Sequence, residues 1–130
     1  MQTAGLLAAA LLFGGMSLFS FGFAAFLLKA LPVELARATI RRAFPHFYLF
    51  VIVTAAAAAA LLARTDHVAA LGLAAVAATT VPTRQLLMSA INRATDAGDK
   101  PRFSALHGLS VTITLAHIAA IGWVIVRLSG

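Results

Sequence analysis

Two histidines ten residues apart, His107 and His117, are the first residues here that could do chemistry. They lie in the apolar stretch "FSALHGLSVTITLAHIAA" at 103–120. An imidazole in such a setting can ligate a metal or a haem iron, relay a proton, or act as a hydrogen-bonded strut. On a helix turning about 100° per residue, Ser110, Thr114 and His117 all fall within roughly 80° of His107. The four residues share a stripe that should face protein rather than lipid. Ten residues also set the two rings about 15 Å apart along the axis. They cannot jointly hold one metal ion or clamp one haem, so each ring needs its own account.

His117 lies near the middle of its stretch. Ser17, Ser20, Thr54, Thr79 and Thr80 lie near the middle of others. The expectation is a neutral ring, with Thr114 beside it, hydrogen-bonded to Thr54, Thr80 or Ser17. A proton or substrate path and a metal or haem ligand are the competing roles. His107 is nearer one end, level with His46 and Tyr48 of "FPHFY" and with Arg84, Gln85 and Asn92 of "VPTRQLLMSAINR". A polar cluster of Arg84, Asn92 and His107, with Tyr48 or His46 and Ser110 nearby, is expected to tie three helices together. Arg84 and His107 should share one hydrogen-bonded network. A charge within a span costs at least ~2.5–3.5 kcal/mol at the bilayer centre. Arg84 should therefore snorkel to the interface, enter a polar pocket, or meet an anionic lipid head group.

Catalytic signatures are missing. There is no cysteine, no Gly-rich phosphate loop and no HExxH, and the only acids are Glu34, Asp66, Asp96 and Asp99, all in loops. Asp96 and Asp99 could bind a cation, though a solvated turn is the plainer reading. The chain is expected to be no enzyme and to need no cofactor.

The elements that must position these residues follow from composition. Hydrophobic residues make up 62% and charged residues 11% of 130. Soluble domains run near 45–50% and about 25%. A membrane helix needs about 20 mostly apolar residues, and four candidates meet that: about 4–28, 44–63, 68–91 and 104–126. The first lacks the basic leader of a signal peptide and reads as a retained helix. None of the runs alternates as barrel strands do. The expected fold is all-α, a single integral membrane four-helix bundle. Small residues should let its helices approach closely: "GGMS" at 14–17, Gly22, the tract Ala55 to Ala60, Gly108 and Gly122. Pro82 should kink the third helix. Pro32 can start a short surface helix in the first loop, with Glu34, Arg37 and Arg41 on one face; a solvated basic loop is the alternative.

Charge sets the direction. Lys29, Arg37, Arg41, Arg42, Arg93, Lys100 and Arg102 lie in the first and third connections, and only Arg64 and Arg127 lie on the other side. That asymmetry places the first and third loops in the cytoplasm and both termini on the non-cytoplasmic side. With no soluble domain to carry a basic face, the net charge of +6 reads as topology and not as nucleic-acid binding.

These segments together resemble the transmembrane-protein-205-like family of small four-helix membrane proteins, a domain of unknown function. The likeness rests on "FGGMSLFSFGFAAF" at 13–26, "FPHFY" at 44–48, the spacing of Pro82, Asn92-Arg93 and Asp96, and above all "GDKPRFSALHGLSV" at 98–111. The resemblance implies that Pro45, Tyr48, Pro82, Asn92, Asp96, Gly98, Asp99, Phe103, His107 and Ser110 are family-type residues. Ala24-Ala25 stands where the family often has Ala-Pro, and Thr114 where it often has asparagine. His46 and His117 fall outside the pattern. The family implies a membrane location and four helices but no settled activity.

The expected function is an accessory or interaction subunit of the membrane, in a bacterial cytoplasmic (inner) membrane. Its partners would be lipids, with a larger membrane complex or a homo-oligomer as the candidate assemblies. The alternatives are a transporter or channel component moving a small solute or proton, and a haem- or metal-binding membrane protein. A continuous polar line from His107 through Ser110 and Thr114 to His117 would mark the transporter. The topology is testable with single cysteines at Thr3, Thr39, Thr95 and Ser129. An impermeant thiol reagent on intact cells should label the terminal pair alone, and labelling of Thr39→Cys or Thr95→Cys alone would invert the orientation.

Overall fold

The computed structural model describes all residues, Met1–Gly130. It is all-helical. Helix α1 spans Gln2–Ala30 and α2 spans Val33–Leu62. Helix α3 runs over 67–96, as His67–Pro82, a π-helical stretch Thr83–Leu87 and Met88–Asp96. Helix α4 spans Lys100–Ser129. Every helix outruns its expected apolar core, because hydropathy ends at the first charge whereas helical hydrogen bonding does not.

The first connection corrects one expectation. No separate surface helix forms there. Leu31 and Pro32 alone are extended, and the helix that begins at Val33 continues unbroken through Pro45 to Leu62. Pro32 is the residue flanking its start, as its fixed φ and missing N–H allow. Pro45 removes one backbone donor from the helix, and the carbonyl of Pro45 itself receives a side-chain donor from α3, described below. Pro82 likewise does not end α3; the helix widens into the π-helical stretch that follows it.

Capping fixes the other two connections. Asp66 precedes α3 and accepts from the Ala69 amide at 3.1 Å. Asp99 precedes α4 and accepts from the Arg102 amide at 3.2 Å. Each satisfies one of the amides a helix start leaves orphaned. The turn between α3 and α4 needs glycine: Gly98 has φ of 68°, a conformation with no steric penalty only for that residue.

Three helices, α1, α2 and α4, are long and apolar enough to cross a membrane. Helix α3 is not among them, because Thr79, Thr80, Thr83, Arg84 and Gln85 dilute its apolar run. It packs between α2 and α4, while α1 packs on α2 and, through Gln2–Ser17, on α4. The core gathers at the end holding the termini, around Leu12, Met16, Val51, Ala55, Ala58, Leu62, Leu73, Ile121 and Val124. At the other end Leu18–Ala30 of α1 leans on α2 only, and residues 100–109 of α4 are exposed apart from Leu106. The stacked rings of Phe19 and Phe47, 4.2 Å apart, fill part of that end.

Small residues make the α1–α2 contact. A Cβ built on Gly5 would lie 2.5 Å from Leu62 Cγ, and one on Gly15 would lie 2.7 Å from the Phe50 ring. Gly122 gives room to Phe13 of α1, whereas Gly14 and Gly108 face open space and Gly22 meets only its own helix. Leu62 is fully buried and cannot retreat. Gly5→Val should therefore lower stability by about 1–3 kcal/mol through overpacking, whereas Gly14→Ala should leave it unchanged or slightly higher. Thermal midpoints of both variants in one detergent check this; equal midpoints would mean that α1 does not pack on α2 through Gly5.

Candidate functional site

Polar residues gather beside the third connection, around the C-terminal end of α3. Arg41, Phe44 and Tyr48 follow at helical spacing on α2 and point the same way. Met88, Ile91 and Asn92 of α3 face them, and His107 and Ser110, one turn apart, close the third side from α4. The space between is a crevice of about 60 Å³. At its inner end the Tyr48 hydroxyl and Ser110 Oγ lie 3.2 Å apart, both buried. His107 lies at the mouth, exposed, with its ring stacked parallel on Phe103 at 5.4 Å. Neither His107 nor Asn92 hydrogen-bonds to another protein group.

An ion pair flanks the crevice. Arg41 Nη1 and Nη2 donate to Asp96 Oδ1 and Oδ2 at 2.7 and 3.0 Å. Asp96 is the last residue of α3, where the negative end of the helix dipole disfavours a carboxylate. The two-pronged Arg41 contact offsets that. The Asp96 carboxyl is held below the usual carboxylate range, first by this hydrogen bond. Asp99 is engaged as a cap through Oδ1. No three His, Cys, Asp or Glu side chains converge on one point.

Arg84 and His107, expected in one network directly or through one water, share no direct hydrogen bond. Arg84 Nε donates to the Pro45 carbonyl at 3.1 Å and Nη1 to Gln85 Oε1 at 3.2 Å. Eight residues separate Arg84 from Asn92, about 12 Å along α3, so the two lie at different levels. His46 is exposed and has no hydrogen bond, because two residues of helix carry it round to the side opposite Tyr48. The crevice thus unites Tyr48, Asn92, His107 and Ser110 and leaves Arg84 and His46 outside.

The deep histidine has a partner, one residue from an expected one. His117 Nε2 lies 2.8 Å from Thr79 Oγ1. Thr79 also donates to the Ala75 carbonyl at 2.7 Å. Either the ring nitrogen or the hydroxyl can be the donor between them, and Nδ1 has no protein partner. Thr80, named beforehand as a partner, faces the core and bonds the Val76 carbonyl at 2.6 Å. Adjacent residues differ by about 100° around a helix, and it is Thr79 that faces α4. Thr114 is half-buried and makes no side-chain hydrogen bond. The stripe His107, Ser110, Thr114, His117 runs from exposed to buried to half-buried; it does not stay inside along its length.

Sequence reasoning missed both ion pairs. The second, Arg127 Nε to Asp66 Oδ2 at 2.8 Å, ties α4 to the start of α3 at the terminal end. The Arg127 hydrogen bond and then the Ala69 amide hold the Asp66 carboxyl below its usual range. The usable signal was that each acid and its cation lie in segments assigned to the same side of the membrane.

A family model described as a domain of unknown function, DUF4149, matches residues 7–100. It includes Arg41, Tyr48, Asn92 and Asp96 and stops before His107 and Ser110. No curated protein and no solved structure matches.

The two carboxylates predict an acid response. Both are depressed in the folded state, so their contribution is complete above the unfolded carboxylate range and is lost as pH falls through the folded values. Thermal stability in detergent should drop on acidification through and below the ordinary carboxylate range. Asp66→Asn and Asp96→Asn should each flatten that drop, and an unchanged acid slope in the double variant would show that the pairs are not formed.

Proposed function

The chain belongs to the DUF4149 family, and from that premise we propose that it is a four-helix integral membrane protein of accessory type, without catalytic activity. The observation that carries this is the nature of the surface. Only 24 of 130 residues are buried, while Leu7, Leu18, Phe26, Leu71, Leu86 and Val126 are each more than 60% exposed, on α1, α3 and α4 alike. Apolar patches on that scale mark surfaces that meet lipid or protein and not water.

In this reading α3 is the fourth span. Its packing between α2 and α4, its buried face of Ala69, Leu73, Val76 and Thr80, and its paired acids at both ends support that placement. The end of the fold at which Arg41 meets Asp96 agrees with the basic asymmetry that assigns the first and third connections to the cytoplasm of a bacterial inner membrane. Membership among transmembrane-protein-205-like proteins is the finer form of the same proposal.

The accessory role is favoured over transport by where the polar groups end. Ser110 closes onto Tyr48, and His117 turns outward to an exposed Thr79, with Thr114 alone between them. Proteoliposomes holding the purified protein should keep an imposed pH gradient as long as empty ones, and the protein should show no Soret absorption. It should leave mild detergent with a membrane partner or further copies of itself at fixed stoichiometry. Rapid collapse of the gradient would support the transporter instead, and a Soret band lost in His117→Gln would support a haem protein.

A further inference from the structure

We infer that the crevice between α2, α3 and α4 binds a phosphate-class oxyanion, supplied by the head group of an anionic phospholipid. Its polar lining is made of groups that can donate. The end-on contact with Asp96 occupies Arg41 Nη1 and Nη2 and leaves the Nε–H and a second hydrogen on each Nη unused. Asn92 and His107 have no protein partner. Tyr48 and Ser110 share one hydrogen bond, so one of their two hydroxyl protons is free. No uncommitted carboxylate lines the space, since Asp96 is held by Arg41. Several donors beside a guanidinium, with no free carboxylate to repel an anion, suit a ligand made of acceptors.

Size and access narrow the choice. A water needs about 10–15 Å³ of such space, so about 60 Å³ holds a few waters or one phosphate-sized group. Drug-sized ligands need roughly 300–1,000 Å³. Phe44, Met88 and Ile91 give the crevice an apolar wall, unsuited to a free, fully hydrated ion but suited to an ester. Beside it Leu18–Ala30 of α1 packs on α2 and not on α4, and Phe103, Leu109 and Val111 of α4 are exposed, an apolar surface on which acyl chains can lie. Six more cations, Lys29, Arg37, Arg42, Arg93, Lys100 and Arg102, share this end and raise the local anion concentration.

The inference rests on the membrane reading above, but gradient retention and cysteine labelling do not report lipid binding, so the two can fail separately. Wild-type protein in phosphatidylcholine nanodiscs should take up phosphatidylglycerol at about one per chain by native mass spectrometry, with a raised thermal midpoint. Protection by phosphatidylglycerol alone assigns the site to a lipid; equal protection by millimolar inorganic phosphate assigns it to the free oxyanion. Asn92→Leu and His107→Phe should each weaken phosphatidylglycerol about tenfold. Arg37→Gln, exposed and outside the crevice, should stay within about twofold. Equal weakening by Arg37→Gln would reduce the effect to surface charge and overturn the site. So would wild-type protein that does not distinguish phosphatidylglycerol from phosphatidylcholine, a comparison that stands even if the variants fail to fold.

Discussion

Leu62 rests on Gly5 with no room for a methyl group between them. The rest of the arrangement depends on close approaches of this kind. Between helices in lipid there is no hydrophobic drive, and contact must be earned by shape. Gly5 and Gly15 bring α1 onto α2. Ala55 and Ala58 of α2 and Ala69 of α3, all fully buried, let α2 and α3 approach in the same way. These small residues concentrate toward the end that holds the termini, and there the core forms. The opposite end has the larger rings of Phe19, Phe44, Phe47 and Tyr48 packed on one another. The crevice lies there, with Phe44 and Tyr48 in its wall.

Polar residues in the helices fall into three kinds by what they bond. Thr80 and Thr83 bond back to their own helix, at 2.6 and 2.9 Å, and make no demand on neighbours. Arg84 and His117 each reach one group on a neighbouring helix and act as ties. Tyr48, Asn92, His107 and Ser110 come together from three helices, and the protein alone does not use their full bonding capacity. Only the last kind offers something to a ligand.

The helices were legible in the sequence because apolar runs of that length have few other solutions. Their ends were not. Arg37, Arg41 and Arg42 interrupt hydropathy without interrupting helix, so α2 begins eleven residues before its expected start at 44. Pro45 lies inside that helix. Periodicity put Ser110 on the stripe expected to face protein, where it is buried, whereas depth alone left Tyr48 and His46 as alternatives. It could not choose between Thr79 and Thr80, because that needs the rotation of α3 about its own axis, which packing sets. Arg41 and Asp96 lie 55 residues apart in sequence, and only the pairing of helices brings them into reach.

Helix α3 has an acid at each end, Asp66 before its first turn and Asp96 in its last, and each grips an arginine of a different neighbour. It is also the helix that is not among those long and apolar enough to cross a membrane. What places it is therefore less its own hydropathy than its two neighbours, which clasp it from opposite ends and pack along both its sides.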